Sequence, residues 1–474
     1  MTATRRRRPS SLTELGPGAI IAAMLPIVTP EEMGEIDRAA SDPVDVLIGR
    51  AGAAVAHAAR RAMGGHYGKR VVVVAGKGNN GNDGRDAVRR LEGRGVRCAI
   101  LDAAVVRGGE RLPACDLVID AAYGTGFRGE YGAPDAGGAP VLAVDIPTGV
   151  DGLTGEVREG AVVADATVTF AALKPGLVLQ PGRARAGEVT VADIGLDCGR
   201  ATAHLVEAGD VRDWIPPRPV DAHKWKAAVW ILGGSPGMTG APALAARGAQ
   251  RLGAGYVRLS TPSAIDVVGG PVEAVRTRLP AEGWAAAALD DLGRFRAAVI
   301  GPGLGLADAT QAEVRAFVAA SPVPLVVDGD GLTALGSGWR VAGSAPVVLT
   351  PHDGEAARLT GEPPGPDRFA AARRLAATTG AVVLLKGPTS VIAAPDGAAL
   401  AVIEGDARLA TAGTGDVLAG AIAALLAQGA VPMRAAAAAA WLHGRAGTLG
   451  PARGLVAGDV ADLLPDAADS LENR

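Results

Sequence analysis

The stretch from Val71 to Leu91, "VVVVAGKGNNGNDGRDAVRRL", passes from an unbroken apolar run through a loop of four glycines into a helical pattern. An apolar run without alternation needs cover on both faces. A parallel sheet between flanking layers provides that cover. The same grammar extends outward, with strands expected at Arg70–Ala75, Arg97–Leu101, Asp116–Ala121, Val141–Ile146 and Ala166–Phe170, separated by helical stretches. It restarts near residue 227 with "AAVWILGGS", "GYVRLSTP", "AAVIGPG", "VPLVVDGD", "PVVLTPH" and "AVVLLKG". Between the halves, "DVRDWIPPRPVDAHKWK" (210–226) carries the prolines and charges of a linker. The expectation is an α/β protein of two domains, residues 24–212 and 213–474.

A chain of 474 residues is long for one core. Its 48% hydrophobic content and net charge of −3 give no reason to expect a nucleic-acid or membrane partner. Cys98, Cys115 and Cys198 form no C-x-x-C pair, which points to a reducing, cytoplasmic setting. The opening "MTATRRRRPSSLTELGPGAIIAAML" imitates a signal peptide, but Glu14 and two glycines interrupt it. Residues 1–23 read as a disordered extension or a start placed too early, with Met24 the true beginning.

In parallel sheets ligands gather at the carboxyl ends of strands. Three such ends in the first half carry polar groups. After Ala75, Gly76, Gly78, Gly81 and Gly84 permit close backbone approach, while Asn79, Asn80, Asn82 and Asp83 offer oxygens and amides beside a helix start. "CDLVIDAAYGTGFRGEYG" (115–132) closes a strand at Asp120, and "VDIPTGVDG" (144–152) places Asp145 and Thr148 around a proline. A single Asp in such a place often only caps a helix or turn. Adjacent strands would bring all three ends together, and two buried carboxylates need a cation or a shared proton between them. Amide, carboxylate and hydroxyl oxygens suit Na⁺, K⁺, Ca²⁺ or Mg²⁺ rather than zinc.

"GNNGNDG", "DAAYGTGFRG" and "VDIPTGVDG", in that order and preceded by "VTPEEMGEIDRAA", resemble the YjeF N-terminal domain, the NAD(P)H-hydrate epimerase family. The resemblance implies a Rossmann-like three-layer domain. It also implies a substrate site formed by Asn79, Asn80, Gly81, Asn82, Asp83, Gly124, Thr125, Gly126, Phe127, Arg128, Gly129, Glu130 and Asp145. Potassium would be held by Asn80, Asp120 and Thr148, with Asp145 facing the substrate. Asn82 departs from the family's usual glycine. If φ there were positive, Asn would be the least costly replacement.

In the second half, "LATAGTGDVLAGAIAALLAQG" (409–429) sets Gly413, Thr414 and Gly415 before an apolar helix, with Asp416 in its first turn. The free N–H groups of that terminus form an anion hole, and an ionised carboxylate beside it can orient or deprotonate a hydroxyl. "LLKGPTSVI" puts Lys386 directly after a strand, with Thr389 and Ser390 able to touch phosphate, and "TPHDGEAARLTG" puts His352 at another strand end. His57, His66, His204 and His443 show no partners and are assigned nothing.

These pieces look like the ribokinase-like superfamily. Within it, the run from "GGSPGMTG" to "RLSTP", with "GPGLG", "TPHDGE" and "KGPTS", resembles the ADP- or ATP-dependent NAD(P)H-hydrate dehydratases over residues 222–464. The implied substrate pocket is Ala241, Gly303, His352 and Asp416. Lys386, Gly387, Pro388, Thr389, Ser390 and Gly415 would hold the adenine nucleotide, and Mg²⁺ would screen its phosphates. Trp225 stands where the family has glycine, which leaves Lys224 without a settled role.

The resemblances together imply repair of hydrated NADH and NADPH (NADHX and NADPHX), in a homo-oligomer. Hydroxide leaves poorly from C6 of the hydrated ring, so phosphorylating that oxygen makes its departure easy. The hydroxyl exists in two configurations, and an epimerase on the same chain completes the repair. Two other readings stand beside this one: a vitamin-precursor kinase of ribokinase-like fold, and a first half that is only a Rossmann-like binding module.

Overall fold

The computed structural model describes residues 24–262 and 270–472; the expected extension, 1–23, lies outside them. Six parallel strands form the smaller sheet, in the order Arg97–Asp102, Arg70–Ala75, Leu117–Ala121, Val141–Val144, Ala166–Phe170, Glu188–Ala192. Arg70–Ala75 lies between the strand that follows it and Leu117–Ala121, so the winding reverses there. Such a switch point opens a crevice at the carboxyl ends. Leu117–Ala121 is buried throughout, as its apolar run requires. Val44–Ala62 and Asn79–Glu92 cover one face through Val55, Ala59 and Leu91, packed on Val71 and Val73. On the other face Val72, Val74 and Val118 meet Leu112, Tyr131 and Val162 from the connecting segments. The three cysteines are unpaired.

Among the described residues the larger sheet has eleven strands. Seven run parallel: Val275–Arg276, Tyr256–Ser260, Ala228–Leu232, Ala297–Ile300, Leu325–Val327, Val347–Leu349 and Val382–Leu385. An antiparallel hairpin, Ser390–Ala393 with Ala399–Val402, continues it. Alternation divides Ala228–Leu232 between two cores. Val229 and Ile231 face the helices Gly240–Arg251, Thr414–Ala427 and Pro432–Leu449, whereas Trp230 and Leu232 face Trp284–Leu292 and Asp308–Ala320. Thr414–Ala427 lies close along Gly240–Arg251 because position 420 is glycine: a Cβ there would run into the Ala245 carbonyl.

The last two strands of this sheet come from the first half of the chain. Ala203–Leu205 runs parallel to Ala399–Val402, and Leu25–Ile27 pairs antiparallel with Ala203–Leu205. The helix Ala208–Trp214 also packs into the larger core, through Val211 and Trp214. The Pro-rich stretch therefore follows, rather than precedes, the first pieces of the larger unit. Ile146, Val150, Leu177 and Val178 of the smaller unit join the same apolar cluster as Trp230 and Leu325, so the two units share a core. Every strand expected from an apolar run is present, and the five given bounds in the first half are shorter or longer by at most two residues. Glu188–Ala192 and the outer strands at the hairpin end of the larger sheet are not among those expected; Glu188–Ala192 carries Glu188 and Thr190 in its run, and Ser390–Ala393 follows directly on a loop read for its phosphate contacts.

Candidate functional sites

At the switch point of the smaller sheet lies a cavity of about 650 Å³. Asn79, Asn80 and Asp83 reach it from the start of Asn79–Glu92, Gly124 to Arg128 from the loop after Ala121, and Asp145 from the loop after Val144. Gly81, Asn82, Gly129 and Glu130 do not line it. Gly81 serves close packing, since a Cβ there would strike the Gly76 carbonyl. Asn82 sits within the helix and is not among the positive-φ residues, so the question of a left-handed backbone does not arise.

Asp120 and Thr148 lie beneath this cavity, both buried. The Thr148 N–H donates to one Asp120 oxygen and the Thr148 hydroxyl to the other, each at 2.8 Å. Burial pushes the Asp120 carboxyl up to about 6, against the lowering effect of these bonds and of one from the Ala122 N–H. Asn80 is the orphan of the group. Among the described residues neither its amide oxygen nor its amide nitrogen has a partner, although both are buried.

Asp145 has φ of +67°, a conformation that Asp and Asn tolerate better than other side chains. Its carboxylate lines the cavity, where Lys174 Nζ donates to it at 2.5 Å and the Thr169 hydroxyl at 3.0 Å. Lys174 is only 1% exposed, and its ammonium also donates to Thr169 Oγ1 and the Phe170 carbonyl. Sequence reasoning misses this lysine. The signal in "LKPG" is weak: Lys174 lies four residues past the end of Ala166–Phe170, whereas Lys386 follows its strand directly. Asp37 and Asp83 face the same cavity. Burial pushes Asp83 up to about 8, aided by Asp145, Asp86 and Asp37. Burial raises Asp37 too, with Lys174 opposing and Asp145 adding. The site thus holds an ion-paired carboxylate beside a carboxyl, Asp83, that keeps its proton at neutral pH.

In the larger unit a second constellation surrounds the start of Thr414–Ala427. Gly413, with φ of +91°, turns the chain into the helix, whose first N–H groups have no partner within it. A Cβ on Gly415 would sit 3.5 Å from Lys386 Nζ, so glycine leaves the ammonium access to the helix end. Lys386 pairs with Asp328 at 2.8 Å and lies 3.6 Å from Glu355. Burial works against its charge, but Asp328, Glu355 and Asp416 more than offset that and hold the amine above its ordinary value. Burial pushes Asp416 up to about 7, with Asp328, Glu355 and Asp330 adding to the rise and Lys386 opposing it. Asp328, Glu355 and Asp330 are further members that the sequence reading does not single out, although "VVDGDG" and "TPHDGE" both place carboxylates at strand ends.

A cavity of about 840 Å³ opens beside this cluster, lined by Lys386, Gly387, Pro388, Ser390, Thr414 and Gly415 among others. Thr389 is a correction. It is buried, and its hydroxyl donates to the Val178 carbonyl of the smaller unit at 2.5 Å, away from the cavity. Ala241, Gly303 and His352 do not line the cavity either. Ala241 and Gly303 lie together, a Cβ on Gly303 falling 3.5 Å from that of Ala241. His352 caps Asp353–Thr360, its Nδ1 accepting from the Gly354 N–H at 3.0 Å. His443, without a role in the sequence reading, lines the cavity with Nε2 2.9 Å from the Thr414 carbonyl. Burial pushes it down to about 4. Trp225 stacks on Tyr256, and Lys224 lies over that ring, at a different surface.

A family model described as NAD(P)H-hydrate dehydratase matches residues 229–468, and one described as YjeF-related protein N-terminus matches 44–111 and 101–176. The bifunctional NAD(P)H-hydrate repair enzyme Nnr of Moorella thermoacetica is 37% identical over 94% of this chain and 97% of its own length. That of Mycobacterium tuberculosis is 40% identical over 79% of this chain and 82% of its own. The ADP/ATP-dependent NAD(P)H-hydrate dehydratase of Bacillus subtilis, co-crystallised with ATP and Mg²⁺, shares 34% identity. The match covers 56% of this chain and 97% of that one, with a TM-score of 0.50. No helix among the described residues is long and apolar enough to cross a membrane.

Proposed function

The chain belongs to the bifunctional NAD(P)H-hydrate repair enzymes, joining an epimerase to a nucleotide-dependent dehydratase, and from that premise we propose how its residues divide the work. In the dehydratase, Asp416 accepts the proton of the C6 hydroxyl as that oxygen attacks the terminal phosphoryl group of ADP or ATP. The helix start at Gly415 and the Lys386 ammonium receive the developing negative charge. The C6–O bond then breaks as the ring nitrogen's lone pair moves in, and the iminium so formed gives up a C5 proton to the departing phosphate, leaving NAD(P)H with phosphate and AMP or ADP. Mg²⁺, when bound, screens the nucleotide's phosphates. Ala241, Gly303 and His352 serve the nicotinamide side, and Lys386, Gly387, Pro388, Ser390 and Gly415 the nucleotide side. The observation that carries this reading is the joining of Asp416, Lys386 and Asp328 at one helix N-terminus.

In the epimerase, Asp83 donates its proton to the C6 hydroxyl, which departs as water. Water attacks the resulting planar ring from the other face, and Asp145 takes the released proton. Asn79 and residues 124–130 hold the rest of the nucleotide. For potassium, the donor set fits: an unpaired buried amide oxygen on Asn80, one carboxylate on Asp120 and one hydroxyl on Thr148. Such an ion would balance the Asp120 charge. Replacing Na⁺ with K⁺ in the buffer should then raise the melting temperature by a few degrees, and Asn80→Ala should abolish the rise. An equal response from the variant would exclude Asn80 as a ligand.

The decisive assay mixes the protein with both epimers of hydrated NADH and follows absorbance in the reduced-nicotinamide band. With nucleotide, recovery should be complete and accompanied by orthophosphate; without it, no NADH should form. A stable phosphorylated product would instead mark a kinase. Recovery stalling at one epimer's share would show the first domain to be inactive.

A further inference from the structure

The 840 Å³ cavity is not built by the larger unit alone: Gln180, Arg183 and Ala184 of the smaller unit line it together with Lys386 and Ser390. Arg183 opens a short helix, Arg183–Ala186, fastened at both ends to its own domain. A Cβ on the preceding Gly182 would press on Val150 and the Gly155 carbonyl, and the Thr167 hydroxyl donates to the Ala186 carbonyl at 2.6 Å. The side chain crosses to the other unit, where Nη1 donates to the Ile403 carbonyl at 2.7 Å. A guanidinium has five N–H donors, so this bond engages only part of it. The cavity's own acids are engaged elsewhere, Asp406 with Arg408 and Glu404 with Arg445 at 3.9 Å. Glu404 favours the Arg183 charge from a distance, yet burial outweighs it and holds the guanidinium below its ordinary value. Among the described residues Arg183 has no ion pair.

We propose that Arg183, supplied by the epimerase domain, binds the phosphate chain of the adenine nucleotide used by the dehydratase. This rests on the reading that the cavity holds that nucleotide. A half-buried cation without an ion-pair partner, bordering the same void as Lys386, has an anion as its natural complement. The guanidinium fork suits phosphate oxygens in particular. The dehydratase site is then incomplete without the domain that precedes it in the chain.

The test is calorimetric titration of the full-length chain with Mg-ADP and with adenosine, without nicotinamide substrate. Arg183→Ala should weaken Mg-ADP about tenfold, leave adenosine within about twofold, and leave epimerase activity intact; Arg183→Lys should restore part of the loss. Ala184→Trp, which fills the same wall, should weaken both ligands. Unchanged Mg-ADP affinity in Arg183→Ala would overturn the proposal, as would an equal loss for adenosine, the sign of a distorted wall. Ala410→Trp, on the wall from the larger unit, separates the two failures. If it weakens Mg-ADP while Arg183→Ala does not, only the role of Arg183 falls. If neither variant matters, the nucleotide lies elsewhere.

Discussion

Replacing Asp416 with alanine should lower dehydration of the S epimer by roughly 10²- to 10⁴-fold, the range for loss of a positioned base, while epimerisation continues at the parent rate. The expectation follows from where Asp416 stands. Burial and neighbouring carboxylates lift it to about 7, so it titrates near neutrality, and Lys386 limits the rise. Only the ionised form can take a proton. The parent rate should therefore climb as pH rises through about 7 and level off above it. Asp416→Asn keeps the shape of the side chain and should lose that pH limb along with the rate. NADH absorbance and orthophosphate release, followed across neutral pH, report both. A residual rate that keeps the parent's pH limb would move the base to another residue.

The second large effect belongs to the pair Asp145 and Lys174. Asp145→Asn is the informative variant, because Asn tolerates the left-handed backbone at this position, whereas alanine would add strain of roughly 1–2 kcal/mol. Lys174→Met keeps the buried stem and removes the charge. Each should slow epimerisation by about 10²- to 10⁴-fold. In the coupled assay the S epimer would be consumed at the normal rate, and the R epimer would follow only at its spontaneous rate. Lys174→Met leaves Asp145 without its partner in a cavity that also holds Asp37 and Asp83, so a drop in melting temperature is expected as well. Full epimerase activity in either variant would remove the pair from the mechanism.

Much of this is legible in the sequence, for a physical reason. Central parallel strands are continuous apolar runs, and the polar residues that end them in "AGKGNNGNDG", "VDIPTG" and "LLKGPTS" have no packing need to be there. Lys174 escapes because "LKPG" shows one charge without the cluster of glycines that marks a ligand loop. Thr389 misleads because its neighbours Pro388 and Ser390 line the cavity, and only the docking of the two units brings the Val178 carbonyl to its hydroxyl. Arg183 lies outside any motif, and the carbonyl it meets is 220 residues away along the chain. Asp328 and Glu355 each look like ordinary caps until Lys386 comes between them.

The chain leaves the larger sheet after Leu25–Ile27 and returns to it at Ala203–Leu205, the strand alongside. The epimerase is thus held by two adjoining tethers rather than strung on one, and it has no swivel about its partner. With a shared core as well, its cavity and the one beside Lys386 are expected to keep one separation, so that a substrate corrected in the first should reach the second by diffusion rather than by a swinging hand-over. The smaller sheet takes no strand from the larger unit, whereas the segments that bracket the epimerase form the border of the larger sheet, so melting the epimerase should loosen that border as well.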